Sequence, residues 1–409
     1  MAAGDGTVRM MREGHGRGAR LAAPALAIAV GFLGPAAGRA APGEPIRIGA
    51  SISTTGTYAK LGQYMQEGYL LWERQTNDRG GLLGRPVKIV IYDDRSDPGT
   101  GVRLYEKLVN DDKVDLLLGP YGSAVSQAVS VIADKYRQPM ILPVAATTSI
   151  FTRGLKYVFM ILAPAESYME GLLDIAAARG AKTAVLVNED TAFPKAIVGG
   201  AARLAEQKGL KILLQEAYPK GTTDFSALLT KAKAVHPDVF IGGTYFEDST
   251  AITRQMKELD FAPKAIAFTA GSDLPEFYKQ LGRNAEYVYA PTPWEPEFPF
   301  PGSRDFLEAY RKAWSHDPIY QSAAAYSAAL VFERAIRHVG SIDREKIREA
   351  LLRLEDTNLF GAYKVDERGV QIGRKMAILQ WRDGRKVVVW PKAVASGDPV
   401  YPAPSWRER

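Results

Sequence analysis

The chain has 409 residues, 46% of them hydrophobic and 24% charged, an ordinary globular composition long enough for about two or three domains. Half of its formal net charge of +6 comes from residues 1–40, where Arg9, Arg12, Arg17, Arg20 and Arg39 outnumber Asp5 and Glu13; the +3 that remains is no nucleic-acid footprint. There is no cysteine, which excludes disulfides, thiolate metal sites and a lipid-modified N-terminal cysteine.

Residues 1–40 read as an export signal. Arg12, Arg17 and Arg20 precede an apolar run at 21–33 that is short for a membrane span and broken by Pro24 and Gly31. Gly38-Arg39-Ala40 then offers small residues where a signal peptidase reads, so cleavage is expected after Ala40. No later segment approaches twenty apolar residues, and the mature chain is expected to be soluble, outside the cytoplasm and unanchored.

A β-type run at 46–52 is followed by Ser53-Thr54-Thr55-Gly56. Tyr58, Leu61, Met65, Tyr69 and Trp72 then recur at spacings of three and four, which describe one helix face. Thr54 or Thr55 is expected to cap this helix, and Asn77-Asp78-Arg79-Gly80-Gly81 to stop it. A strand at 87–92 leads through Asp93-Asp94 to a helix started by Pro98. Strands at 114–118 and 140–142 flank a third helix. Before that helix stands Leu116-Leu117-Leu118-Gly119-Pro120-Tyr121-Gly122-Ser123, which predicts a strand-to-helix turn. Such a turn presents backbone N–H groups and the Ser123 hydroxyl at the positive end of a helix, where an anion binds.

A second series begins after a strand at 157–161. Its strands fall at 183–187, 211–216, 239–241, 265–269 and 287–289, with Gly180 and Gly209 ending the helices between them. Alternation of this kind implies parallel sheets in two domains, with ligands bound beyond the carboxyl ends of the strands. The segments there are 53–56, 93–94, 119–123 and 144–149 in the first domain and 190–193, 242–246 and 270–273 in the second. Pro291, Pro293, Pro296, Pro299 and Pro301 mark a non-helical connection carrying Trp294. Helices at 304–314, 321–339 and 344–354 and strands at 376–381 and 386–390 complete the fold, and the tail from Ala395 is expected to be loose.

Little here reads as chemistry. His15, His236, His316 and His338 are not at metal-ligand spacing, and no nucleophile elbow, phosphate loop or dinucleotide fingerprint occurs after residue 40. Asp93-Asp94 reads as a helix cap and arginine partner rather than a metal site. No enzyme, cofactor or metal is expected.

The pattern Thr55-Gly56, Ala59, Gly62, Gly68, Asn77, Gly80-Gly81, Gly84-Arg85-Pro86, Asp93-Asp94 and Asp97-Pro98 continues with Gly119 to Ser123, residues 143–147, Phe360-Gly361 and residues 366–369. Spread over about 45–390, it resembles the amino-acid-binding branch of the type I periplasmic binding proteins, typified by the leucine/isoleucine/valine-binding protein of ABC importers. The resemblance implies two Rossmann-like α/β lobes joined by a hinge of three crossings, near Ala163, Pro291 and Leu359. Lobe 1 would be 41–162 plus 292–358, and lobe 2 would be 163–291 plus 359–394. It further implies a monomer that closes on an amino acid or related small carboxylate or amide and delivers it to an ABC transporter permease. A ligand-sensing receptor subunit of the same fold, or an extracytoplasmic amide hydrolase, is the alternative.

By position, the resemblance places Gly122, Ser123, Ala146 and Thr147 around a ligand carboxylate, with the Ala145 carbonyl facing an ammonium group. Leu61 and Tyr121 would line a side-chain pocket, Phe193 stands where the family often has tyrosine, and Tyr245 would close over the ligand. Where branched-chain binders supply a glutamate for the ammonium, this chain reads Ala270-Gly271-Ser272-Asp273. Asp273 either takes that role or caps the next helix, with Glu247 and Asp248 as other candidates. Trp294 is a ligand contact or an anchor in a crossing.

Overall fold

The computed structural model describes residues 43–409; the expected export signal and its cleavage point lie outside the described residues. Five strands, β1 (Ile46–Ile52), β2 (Val87–Asp93), β3 (Leu116–Leu118), β4 (Met140–Leu142) and β5 (Val158–Met160), form an all-parallel sheet in the order 2-1-3-4-5. Helices cover both faces, so β3 and β4 are buried along their whole length and read as unbroken apolar runs rather than alternating ones.

The second sheet begins with β6 (Thr183–Glu189), β7 (Lys211–Tyr218), β8 (Val239–Gly243), β9 (Ala265–Phe268) and β10 (Val288–Thr292). A small hairpin, β11 (Asp356–Asn358) with β12 (Gly361–Tyr363), precedes β13 (Ala377–Arg382) and β14 (Arg385–Trp390). The order is 14-13-10-9-8-6-7, parallel from β10 to β7, with β13 and β14 added antiparallel. The expected two α/β lobes are present.

After β10 the chain returns to the first lobe. There the helices Ser303–Trp314 and Tyr320–Val339 pack on the helix Ala59–Asp78. Trp72 Nε1 donates to Glu333 Oε2 at 3.0 Å across this contact. A Cβ at Gly68 would lie 2.2 Å from the Ser322 carbonyl oxygen, so only glycine permits the approach.

Several local expectations are corrected. The first helix begins at Ala59 without a side-chain cap, because Thr54 and Thr55 are held by Asp93: its Oδ1 accepts from the Thr54 N–H at 3.0 Å and its Oδ2 from Thr55 Oγ1 at 2.7 Å. Asp94 likewise takes the Ser51 and Ser53 hydroxyls, at 2.7 and 2.6 Å, and the helix Pro98–Asn110 is capped by Asp97 instead. Near Leu359 the chain does not yet leave the first lobe. The Met160 N–H donates to the Gly369 carbonyl at 2.9 Å, and Gln371 Nε2 reaches the Ile161 carbonyl. The third crossing therefore lies in residues 372–376, directly before β13. The tail is not loose: Trp406 is buried and donates to the Phe261 carbonyl at 2.8 Å, and Arg409 Nη1 reaches the Glu286 carbonyl. None of the described helices is long and apolar enough to cross a membrane.

Candidate functional site

β3 ends at Leu118, and Gly122 takes φ 81°, a left-handed backbone that glycine adopts without strain. That turn starts the helix Ser123–Lys135 without a side-chain cap, leaving the N–H groups of its first turn for a partner outside the helix. Ser123 does not cap its own helix. Its Oγ accepts from the Ala146 and Thr147 N–H groups, at 3.1 and 3.4 Å, which fastens the two expected carboxylate segments together and leaves the hydroxyl proton to donate. The Ala146 carbonyl accepts from the Ala165 N–H at 2.8 Å, so the same segment is tied to the first crossing. Ser123, Ala145, Ala146 and Thr147 are all buried.

From the second lobe, Tyr245 stands at the start of the helix Phe246–Glu258, just past β8. Thr244 and Thr269 fix the strand ends beneath it: Thr244 N–H donates to Thr269 Oγ1 at 2.8 Å, and that hydroxyl donates to the Thr244 carbonyl at 2.6 Å. The Tyr245 ring lies 5.0 Å from Tyr58 of the first lobe, and Tyr58 lies 5.4 Å from Tyr121. Phe193 sits 5.8 Å from Tyr245 and 5.7 Å from Tyr168, extending the aromatic wall toward the first crossing. A cavity of ≈ 80 Å³ opens beside the Tyr58–Tyr245 contact, bordered by Leu61, Glu189, Tyr218 and Asp248. Lys60 pairs with Glu276 across the lobes at 2.8 Å, and Lys220 Nζ stands 4.7 Å over the Tyr58 ring. The lobes are shut on one another.

Inside this closure the polar atoms do not balance. Among the described residues, the hydroxyls of Tyr58, Tyr168 and Tyr245 and both amide atoms of Gln321 are buried without a hydrogen-bond partner. The Tyr58 and Tyr245 phenols approach each other, as do Tyr121 and Gln321, without reaching hydrogen-bonding geometry. Each such group costs about 1–3 kcal/mol to bury unpaired. Folded chains rarely keep several together unless something else supplies the partners.

The candidates for the far end of a ligand are largely engaged. Asp273 is buried and does not cap the helix Pro275–Leu281; its Oδ1 accepts from the Gly271 N–H at 3.1 Å. Burial pushes its carboxyl up to about 6, against the pull of Lys386, and its charge is felt at Tyr121 and Tyr320. Asp248 caps its own helix through the Tyr245 N–H at 2.7 Å and accepts from the Tyr218 hydroxyl. Burial holds it up at about 7. Glu247 is exposed on the rim. Two expected contacts have their polar atoms committed elsewhere: Ser272 donates to the Thr269 carbonyl at 2.9 Å, and Trp294 Nε1 donates to Ser303 Oγ at 3.2 Å within the second crossing.

Tyr58, Tyr168, Tyr320, Gln321 and Arg374 were not anticipated as site residues. Arg374, on the third crossing, stacks 4.3 Å over Phe360 and donates through Nε to the Ala362 carbonyl at 3.1 Å. Its Nη1 and Nη2 are buried without a partner, and burial pulls the guanidinium down to about 9, opposed by the neighbouring Tyr168 phenol.

A profile described as periplasmic binding protein matches residues 45–386. The leucine-, isoleucine-, valine-, threonine-, and alanine-binding protein of Pseudomonas aeruginosa is 28% identical over 376 residues, covering 91% of this chain and 97% of that protein. The substrate binding protein LivJ of Streptococcus pneumoniae, solved in complex with isoleucine, is 23% identical and superposes with a TM-score of 0.76, covering 85% of this chain and all of its own. A solute binding protein of an ABC transporter from R. palustris, solved in complex with benzoate, is 19% identical with a TM-score of 0.76, covering 84% of this chain and 95% of its own.

Proposed function

The chain belongs to the periplasmic binding protein family, and we propose on that footing that it is the solute-binding component of an ABC importer, holding an amino acid or related small carboxylate between its lobes. The observation that carries this reading is the set of unpartnered Tyr58, Tyr168, Tyr245 and Gln321 polar atoms enclosed where the lobes meet. A ligand carboxylate fits the start of the helix at Ser123, where first-turn N–H groups, the Ser123 hydroxyl and Thr147 favour negative charge without a buried counterion. Leu61, Tyr121, Phe193 and Tyr245 form the apolar walls.

Contacts from both lobes exist only when the lobes are shut, so ligand shifts an equilibrium between open and closed forms toward the closed one. The protein acts as a periplasmic monomer, passes its cargo to a membrane permease and performs no reaction. The relatives that bind branched-chain amino acids and benzoate support a small carboxylate as the cargo. Mass spectrometry of molecules that co-purify, followed by a thermal-shift panel of amino acids, amides and aromatic carboxylates, tests the reading. At least one carboxylate should raise the melting temperature, and no amide should be turned over. Stabilisation by none of them, or turnover, overturns it.

A further inference from the structure

The charges where the lobes meet are lopsided. Asp273 has the Gly271 N–H and faces Lys386, Asp248 has the Tyr245 N–H and the Tyr218 hydroxyl, and Glu189 has Thr191 Oγ1 at 2.8 Å with Lys220 nearby. Three carboxylates that a ligand ammonium would need are thus already supplied with donors. Arg374 is in the opposite state. What solvent reaches of it is the rest of the residue, while Nη1 and Nη2 are shut in, and no carboxylate among the described residues pairs with it. Tyr168, whose phenol feels the Arg374 charge, packs edge-on to Phe193 at the end of the aromatic wall, and Arg374 itself stands on the third crossing, stacked over Phe360. Glu166 Oε2 is also buried without a partner, but its Oε1 already takes the Thr148 hydroxyl at 2.5 Å and N–H at 3.2 Å.

An unpaired buried guanidinium is far more costly than an unpaired hydroxyl, and an anion relieves it with a charge-assisted, two-pronged hydrogen bond. We propose that Arg374 is the charge anchor of the interlobe site and that the ligand is a net anion, an acid lacking a free ammonium or bearing a second acidic group, rather than a neutral zwitterionic amino acid. The proposal rests on the solute-binding reading above and narrows its cargo. A zwitterion would bring one negative group for two anion-seeking places, the Ser123 turn and Arg374. It would also bring an ammonium, whereas the buried carboxylate oxygens still without a donor, on Glu166, Glu276 and Glu295, belong to groups already held through their other oxygen, and Gln321 Oε1 is a neutral acceptor.

Pairs of probes that differ only in the ammonium test this. Calorimetry at fixed ionic strength compares leucine with 4-methylpentanoate and phenylalanine with 3-phenylpropanoate, with glutarate as a two-headed acid. At least one acid should bind about tenfold or more tightly than the amino acid of the same shape, and Arg374→Gln should weaken that acid by about tenfold or more. Arg374→Lys should restore part of the loss. Equal or tighter binding of the amino acids overturns the proposal while leaving the importer reading intact. So does acid binding that ignores Arg374→Gln, the result expected if Arg374 and Glu166 pair with each other in solution. If no acid among the probes binds, the proposal falls, and the reading beneath it falls too only if the wider panel above also fails to stabilise the protein. Should Arg374→Gln fail to fold, the wild-type comparison still decides.

Discussion

Tyr58 of the first lobe and Tyr245 of the second meet with ring centroids 5.0 Å apart and planes inclined by 46°, yet neither phenol finds a hydrogen-bond partner among the described residues. Ring packing holds the lobes together while the hydroxyls remain available to a third party.

Tyr245→Phe separates those two roles. Removing a buried, unpartnered hydroxyl should leave the melting temperature of the ligand-free protein unchanged or raise it. Ligand affinity should fall by about 1 kcal/mol if that hydroxyl bonds the ligand. Thermal melts with and without ligand check both signs, and a loss of free-protein stability contradicts the assignment.

Ser123→Ala acts on both counts in the same direction. The Ala146 and Thr147 N–H groups lose their acceptor, which should lower stability by roughly 1–2 kcal/mol, and affinity for a carboxylate should drop by about 1–3 kcal/mol. Urea melts and titration calorimetry measure the two separately. Unchanged affinity removes Ser123 from the site.

Asp248 makes the closing helix sensitive to pH. Its folded carboxyl sits near 7, above its unfolded value of 3.8, so between those limits the folded state binds more protons. Its contribution to stability is therefore fully present at low pH and is lost as pH rises through 7; Asp273, near 6, has the same sign. The stability difference between wild type and Asp248→Asn should shift by up to about 2 kcal/mol from pH 5 to pH 7, in favour of the variant at the higher pH. Paired denaturant melts at those two values check it, and a flat difference rejects it.

Trp406→Ala should cost roughly 2–4 kcal/mol, because the indole is buried in the second lobe and donates to the Phe261 carbonyl. A variant that melts like wild type would return the tail to the loose state that its composition favours.

The strands were legible because buried parallel strands leave short apolar runs with glycine or proline at their ends, and the run at β4 was found to the residue. The turn at Gly122 was legible for a similar reason: its backbone excludes other residues. Arg374 and Gln321 were not, since an arginine on a connection and a glutamine in a helix look like surface until the fold shuts them in. The tail misled in the same way. Its polar composition hides Trp406 and Arg409, whose partners, Phe261 and Glu286, lie more than a hundred positions earlier. Ser272 and Trp294 have polar hydrogens already engaged within the fold. Each stands where a contact was expected, but neighbours in its own loop or crossing take its polar hydrogen.

The hydrogen bond from Trp72 to Glu333 spans 261 positions of sequence. The strands of the first sheet are complete by Met160, but the helix Tyr320–Val339 that covers them comes far later, as do β13 and β14, which finish the second sheet. Loop closure over such separations has to precede the contacts that reward it, which makes folding slow. Neither lobe is complete until the chain has passed back through the hinge: the first waits for Tyr320–Val339 and the second for β13 and β14. The interleaving that builds the hinge therefore also ties the completion of each lobe to passage of the chain through the other.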